Sequence, residues 1–135
     1  TATMKVTLTP DKRYNGERTG LVVMGLDYAV LALEKTDEGF RLSENECHKA
    51  DKGKPEVENA SVMIPDSTAY LRVKMADGVC NFSYSLDGKK FKNIGKPFTA
   101  REGKWIGAKI GTFCTRPKVA NDGGRADIDW FRITK

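Results

Sequence analysis

Apolar and polar residues alternate with a period of two through much of this chain. The alternation is clear in Met4, Val6 and Leu8, and it returns in Leu71 and Val73. This period places successive side chains on opposite faces of an extended strand, so these segments predict half-buried β-strands. We find no segment with the period of a helix.

Turn-forming residues separate the alternating segments. They include Asn15-Gly16, Ala76-Asp77-Gly78 and Asp87-Gly88. Glycine, asparagine and aspartate tolerate the positive φ angles of tight hairpins. Turns recur about every 8 to 12 residues, a spacing that favours an all-β sandwich or barrel. The predicted strands are 2–9, 18–26, 28–35, 39–46, 56–64, 68–75, 78–86, 90–98, 104–115 and 125–134.

Composition narrows the class of protein. The 135 residues fit one domain that is long enough to bury a core. No stretch is apolar enough to span a bilayer, so we expect no membrane partner. The 23 basic and 18 acidic residues are interspersed, which is typical of a solvated surface, and we therefore expect no nucleic-acid partner.

The three cysteines match neither a zinc spacing nor a disulfide framework. Cys80 and Cys114 lie in strand-like runs and are expected to be buried, reduced thiols. The single histidine, His48, lies in a polar segment without a partner that the sequence identifies. Neither a reactive thiol nor a Ser-His-Asp set is therefore expected.

Aromatic residues flank the Asp87-Gly88 turn. We expect Phe82 and Phe91 to pack in the core. Tyr84 shares a strand face with Phe82, and its hydroxyl needs a partner if it is buried.

The last predicted strand carries the first candidate binding residues. Strict alternation places Asp127, Asp129 and Phe131 on one face, and Trp130 and Arg132 on the other. An indole stacks on the C–H groups of a sugar, and a guanidinium donates to its hydroxyls. Trp130 and Arg132 therefore predict a saccharide platform. The alternative is that Trp130 packs under a neighbouring strand or against another domain.

A second candidate lies in the strand before it. Alternation places Trp105, Gly107, Lys109, Gly111 and Phe113 on one face. This is a strip of small residues with an aromatic at each end and one cation, which suits the groove for an extended saccharide. A strand packed tightly under another sheet has the same pattern, so both interpretations stay open.

Four segments carry a resemblance to a known family. They are Gly20-Leu-Val-Val-Met-Gly-Leu-Asp-Tyr-Ala29, Phe82-Ser-Tyr-Ser-Leu-Asp-Gly-Lys-Lys-Phe91, Trp105-Ile-Gly-Ala-Lys-Ile-Gly111 and Ala126-Asp-Ile-Asp-Trp-Phe-Arg-Ile133. Together they resemble the concanavalin A-like C-terminal domain that follows the catalytic propeller in β-xylosidases of glycoside hydrolase family 43. The resemblance implies an all-β fold, a two-sheet antiparallel β-sandwich of jelly-roll type, spanning 1–135 as a single domain. Family members often carry a strand-bearing segment before this point, so we expect a fragment of a larger glycosidase that lacks part of its first strands.

The resemblance also implies a function. The domain would pack on the catalytic β-propeller of the same protein, a bacterial β-xylosidase or α-arabinofuranosidase, and help to shape a pocket for xylan-type oligosaccharides. Its location would be the cytoplasm, the periplasm or outside the cell. The catalytic acids of the family lie in the propeller, so this chain alone is expected to be inactive. Two alternatives stay open, an independent xylan-binding module and a purely structural interaction domain.

The expected site residues follow from these interpretations. The carbohydrate-binding candidates are Trp105, Trp130, Arg132, Tyr28, Tyr70 and Lys109. If the domain is an independent binding module, the aromatic candidates should share one face. Related lectin-like modules often hold a structural calcium ion near the end of the sandwich, and Asp127 and Asp129 are its candidate ligands here. Calcium takes six to eight oxygen ligands, of which two carboxylates supply only a few.

Overall fold

A computed structural model describes residues 1–10, 16–49, 52–100, 109–115 and 125–134. Within these ranges the chain forms ten strands and no α-helix. No helix in them is long and apolar enough to cross a membrane. The strands are β1 (Ala2–Thr9), β2 (Arg18–Met24), β3 (Tyr28–Thr36), β4 (Gly39–Cys47), β5 (Val57–Ile64), β6 (Thr68–Ala76), β7 (Val79–Ser85), β8 (Lys92–Thr99), β9 (Lys109–Thr115) and β10 (Arg125–Ile133).

The strands form two five-stranded sheets. Sheet A has the order β10-β1-β6-β7-β8, and sheet B has the order β5-β4-β3-β2-β9. All neighbouring strands are antiparallel. β1 packs against β2 and β3, and β8 packs against β4 and β5, so the sheets lie face to face. This is the predicted two-sheet antiparallel sandwich.

The core lies between the sheets and is apolar. Its fully buried side chains include Met4, Val6, Leu8, Leu71, Val73, Phe82 and Phe98 from sheet A, and Leu21, Val23, Leu31, Leu33 and Leu42 from sheet B. Burying one such side chain contributes about 1.5–3 kcal/mol. Because each strand contributes alternate residues, the outward side chains are left to form the surfaces described below.

Glycine is required at particular backbone positions. In the β6–β7 hairpin, Asp77 and Gly78 have φ angles of 52° and 78°, as the Asp-Gly signal predicts. Gly88 has a φ of 80°, and a Cβ there would lie 2.9 Å from the Tyr70 ring. In β2, a Cβ on Gly20 would collide with the carbonyl oxygen of Leu31. Gly20 therefore allows β2 and β3 to approach each other.

Strict alternation was wrong for β10. Ile128 lies opposite Val6 and Trp130 lies opposite Lys5, so the pairing contains a β-bulge in which Asp129 is the extra residue. Asp127 lies opposite Thr7 and so faces outward, on the same side as Trp130. The prediction that Asp127 shares a face with Phe131 fails because the bulge shifts the face by one residue.

Two further expectations need correction. Phe91 does not join the core, because it lies on the outer face of sheet A, where its ring centroid is 3.7 Å from the guanidinium carbon of Arg72. All three cysteines are free, and Cys80 is buried as predicted, but Cys114, which was also predicted to be buried, is exposed. Cys47 is buried as well. Cys114 lies on the edge strand β9, opposite Thr19.

Candidate functional site

The outer face of sheet A carries aromatic and cationic side chains in register. Trp130, Lys5 and Tyr70 lie opposite one another on β10, β1 and β6. In the next row Arg132, Thr3 and Arg72 do the same. We call this surface the aromatic face, defined by these six residues and Phe91. The register brings together Trp130, Arg132 and Tyr70, three of the predicted carbohydrate-binding residues.

The cations on the aromatic face lie against rings. The guanidinium carbon of Arg132 is 4.6 Å from the Trp130 ring centroid, and Lys5 Nζ is 5.5 Å from that of Tyr70. The Tyr70 and Trp130 ring centroids are 6.1 Å apart, with the rings tilted by 49°. A cation over an aromatic face is attracted by the negative charge on that face. These four side chains therefore hold one another in place without a ligand.

The other predicted residues do not join this face. Tyr28 and Lys109 lie on the outer face of sheet B, where both are opposite Met24. Gly111 and Phe113 share that face with Lys109, and a Cβ on Gly111 would have no neighbour within 4 Å. Within the described ranges, no strand packs over this strip at Gly111. Trp105 and Gly107 lie outside the described residues.

Tyr28 takes part in a polar cluster over sheet B. Its hydroxyl donates to Glu56 Oε2 at 2.6 Å. Arg18 donates to both carboxylate oxygens of Glu56, at 2.7 and 3.0 Å. Arg18 and Tyr28 are the first residues of two antiparallel strands, so they lie at opposite ends of the strand pair. Both side chains therefore extend along the sheet and meet at Glu56. Beneath them Ala32 and Val30 are 0% and 4% exposed although they face outward.

The ionisation of this cluster supports a structural role. The Arg18 guanidinium holds the pKa of Glu56 below its usual value. Burial and the hydrogen bond to Glu56 raise the pKa of the Tyr28 hydroxyl, which stays neutral and donates. Because the hydroxyl and the guanidinium are already engaged, Tyr28 is less available to a saccharide than Trp130.

The calcium prediction finds little support in the geometry. Asp129 lies 3.5 Å from Lys5 Nζ, and Asp127 lies 3.3 Å from Arg125 Nε. The described residues contain no group of three or more His, Cys, Asp or Glu that could hold a metal ion. Two exposed carboxylates that are already paired with cations do not fit a calcium site on their own. A structural calcium ion, which would need further oxygen ligands, stays a prediction.

Sequence reasoning missed a polar cluster at one end of the sandwich. His48 lies 3.4 Å from Asp27 and 3.1 Å from Glu46, and these carboxylates raise its pKa. Asp27 also accepts from the Lys49 amide at 2.7 Å. These contacts fix the turn after β4. The sequence held no signal for them, because Asp27 and His48 are adjacent only once β3 and β4 have paired.

Among the described residues, inward-facing side chains stay exposed along the edge formed by β9 and β10. Inward-facing residues of β10 lie opposite fully buried residues of β1, but Ile128 and Ile133 are 44% and 70% exposed. Phe131 is half-buried. On β9, Cys114 faces inward opposite Thr19 and is exposed. We call Ile128, Phe131, Ile133 and Cys114 the open edge. It presents the interior of the sandwich to its surroundings.

Comparison with known proteins finds several proteins that are similar to this chain. A β-xylosidase of Formosa agariphila is 40% identical over 62 residues, which are 46% of this chain and 10% of that protein. The GH43 protein BlXynB of Bacillus licheniformis superposes with a TM-score of 0.77 at 21% identity, over 97% of this chain and 26% of that one. A bifunctional GH43-CE protein of Bacteroides eggerthii gives a TM-score of 0.75 at 18% identity, over 97% and 18% of the two chains.

These structural matches establish the fold, and this chain spans about a quarter or less of each relative's length. The family assignment comes from the sequence as a whole. Residues 1–134 match the family described as the β-xylosidase C-terminal concanavalin A-like domain. The match covers nearly the whole chain, including every described strand. The chain belongs to the family of β-xylosidase C-terminal concanavalin A-like domains.

Proposed function

We propose that this chain is the accessory domain of a family 43 glycoside hydrolase of the β-xylosidase or α-arabinofuranosidase type, packs on its catalytic domain and helps to shape the substrate pocket. The observation that carries the proposal is the open edge. Apolar side chains that point into a sandwich are normally covered, and an exposed apolar patch marks an interaction site. The chain spans a small part of its relatives, so the rest of such a protein is the natural occupant.

The position of β10 supports the proposal that docking and pocket shaping go together. One face of this strand contributes Ile128 and Ile133 to the open edge, and the other carries Trp130 and Arg132. A catalytic domain seated on the open edge would therefore have an indole and a guanidinium beside the interface. This placement suits a domain that contributes a wall to a neighbouring saccharide pocket.

The test uses the full-length gene product. A double substitution, Ile128→Lys with Ile133→Lys, places two charges in the proposed interface. We expect faster proteolysis between the domains and a raised KM for xylo-oligosaccharides. Leu86→Lys is the matched control, because Leu86 is 50% exposed in the β7–β8 hairpin, away from the open edge. In the isolated chain, both variants should have the same free energy of unfolding as the parent.

Equal behaviour of the open-edge and control variants in the full-length protein would overturn the docking proposal. A purely structural domain would show altered proteolysis with an unchanged KM. An independent binding module would keep its affinity for saccharides when separated from the rest of the protein.

A further inference from the structure

Two arginines on the aromatic face lie in one row with a hydroxyl between them. Thr3 lies opposite Arg132 on one side and opposite Arg72 on the other. Neighbouring strands are about 4.8 Å apart, so the backbones of the two arginines are separated by about 10 Å. We call Arg132, Thr3 and Arg72 the arginine row.

Both guanidinium groups are held in place by neighbours. Arg72 Nε donates to Thr3 Oγ1 at 3.0 Å, and its guanidinium carbon lies 3.7 Å from the Phe91 ring centroid. The Arg132 guanidinium lies over the Trp130 ring. Stacking uses the flat face of a guanidinium and leaves its N–H edges free to donate. The terminal N–H groups of both arginines are therefore ordered and available.

Two carboxylates of β10 are paired with cations other than these arginines. Asp129 pairs with Lys5, and Asp127 pairs with Arg125. Within the part of the chain that the structure describes, neither Arg72 nor Arg132 forms an ion pair. Two ordered, unneutralised guanidinium groups on one row attract an anion, and their fork geometry suits a planar or tetrahedral acidic group.

We propose that the arginine row binds the acidic substituent of a saccharide, a uronate carboxylate or a sulfate ester, while the sugar ring lies against Trp130 and Tyr70. Trp130 and Tyr70 are half-buried, so part of each ring stays exposed beside its neighbouring cation. This exposed aromatic surface favours a saccharide over a purely ionic ligand, because it can contact the C–H groups of a sugar. The inference rests on the proposed function, because it names acidic xylan as the source of the bound saccharide. It does not depend on docking at the open edge.

Calorimetric titration of the chain tests this site. The ligands are a xylo-oligosaccharide with one glucuronic acid substituent, the same oligosaccharide with its carboxyl reduced to an alcohol, and a xylo-oligosaccharide with one sulfate ester. We expect one or both acidic ligands to bind at least tenfold more tightly than the neutral one. Which acidic ligand binds identifies the natural substituent. Arg132→Gln and Arg72→Gln should each weaken acidic binding about tenfold, the loss of one charge-assisted contact.

Lys74→Gln is the matched control. Lys74 is exposed two residues along β6 from Arg72, faces outward and carries the same charge. It should leave the affinity unchanged. Arg132 is exposed, so Arg132→Gln should fold normally even if Arg72→Gln, which removes the bond to Thr3, does not.

Three results would overturn the inference. They are equal affinity for acidic and neutral ligands, an equal loss in Lys74→Gln and Arg132→Gln, and no binding of any oligosaccharide. The last result would favour an acidic protein surface as the partner of the row. None of them bears on the open-edge variants, so the docking proposal is tested separately.

Discussion

Ile128 and Trp130 are two residues apart in β10 yet face opposite sides of sheet A. The bulge at Asp129 is the cause, because one extra residue reverses the face of everything that follows it. One strand thereby supplies apolar residues to the open edge and an indole to the aromatic face. Both proposals made for this domain depend on that reversal.

Gly20 is predicted to be the glycine of β2 that cannot be replaced. Gly20→Ala should lower the free energy of unfolding by about 3 kcal/mol, because its Cβ would meet the Leu31 backbone, which cannot move aside. Gly111→Ala on the neighbouring strand is the control, since nothing lies within 4 Å of that position. It should change stability by less than about 0.5 kcal/mol. Urea denaturation measures both, and equal effects would contradict the close approach.

Glu56 is predicted to stabilise the cluster over sheet B. Glu56→Gln should cost about 1 kcal/mol, because it weakens two bonds to Arg18 in a partly exposed site. Glu58→Gln is the control, since Glu58 forms one ion pair among the described residues, with Arg41, and is more exposed. Denaturant unfolding at pH 7 compares them, and a larger loss in the control would exclude the cluster as the stabilising feature.

Glu56 also makes the free energy of unfolding depend on pH in the acid range. The pKa of Glu56 is lowered in the folded state, so its stabilisation is full above the unfolded pKa of about 4.3 and is lost as pH falls through the folded pKa. Glu56→Gln should therefore lose less stability than the parent between pH 5 and the acid limit. Parallel acid-unfolding curves for the two proteins would count against this assignment.

Glu44 is predicted to give the free energy of unfolding a pH dependence opposite to that of Glu56. It is 0% exposed, and burial raises its pKa. Because the folded pKa exceeds the unfolded one, the stabilisation is full below the unfolded value and is lost as pH rises through the folded value. Glu44→Gln should therefore gain stability relative to the parent as pH rises from 4 to 8, whereas Glu38→Gln, an exposed control, should not. A constant difference across that range would refute the prediction.

Cys114 is predicted to be the reactive thiol of the native chain. It is exposed, whereas Cys47 and Cys80 are buried. Ellman's reagent should label one thiol in the native protein and all three in urea. The reaction should be slow near neutral pH, because partial desolvation and the negative charge of Glu17 raise the pKa of the Cys114 thiol and leave little thiolate. Cys114→Ser should abolish native labelling, and labelling that persists would place the accessible thiol elsewhere.

The strands were predictable because their signals are local. Met4, Val6 and Leu8 alternate with polar residues, and Asp77-Gly78 has the chemistry of a tight turn. Both signals act over a few residues, and nine of the ten predicted strands begin within two residues of the observed ones. The remaining one was predicted to begin at 104, which lies outside the described residues.

The candidate site was only partly predictable because it depends on strand pairing. Trp130 and Tyr70 meet because β1 lies between β10 and β6, an order that local patterns do not encode. Tyr28 was grouped with them but lies on the other sheet. The bulge at Asp129 and the contact of Phe91 with Arg72 likewise arise from pairing between distant segments.

The length of the native gene product decides whether this chain is an accessory domain of a larger protein. An immunoblot of the source organism with an antibody raised against this chain measures it. We predict a band several times larger than this 135-residue chain, as expected of an accessory domain in a multidomain glycosidase. A single band at the size of the chain itself would contradict that claim and leave a free-standing module, for which saccharide binding on the aromatic face would be the leading function.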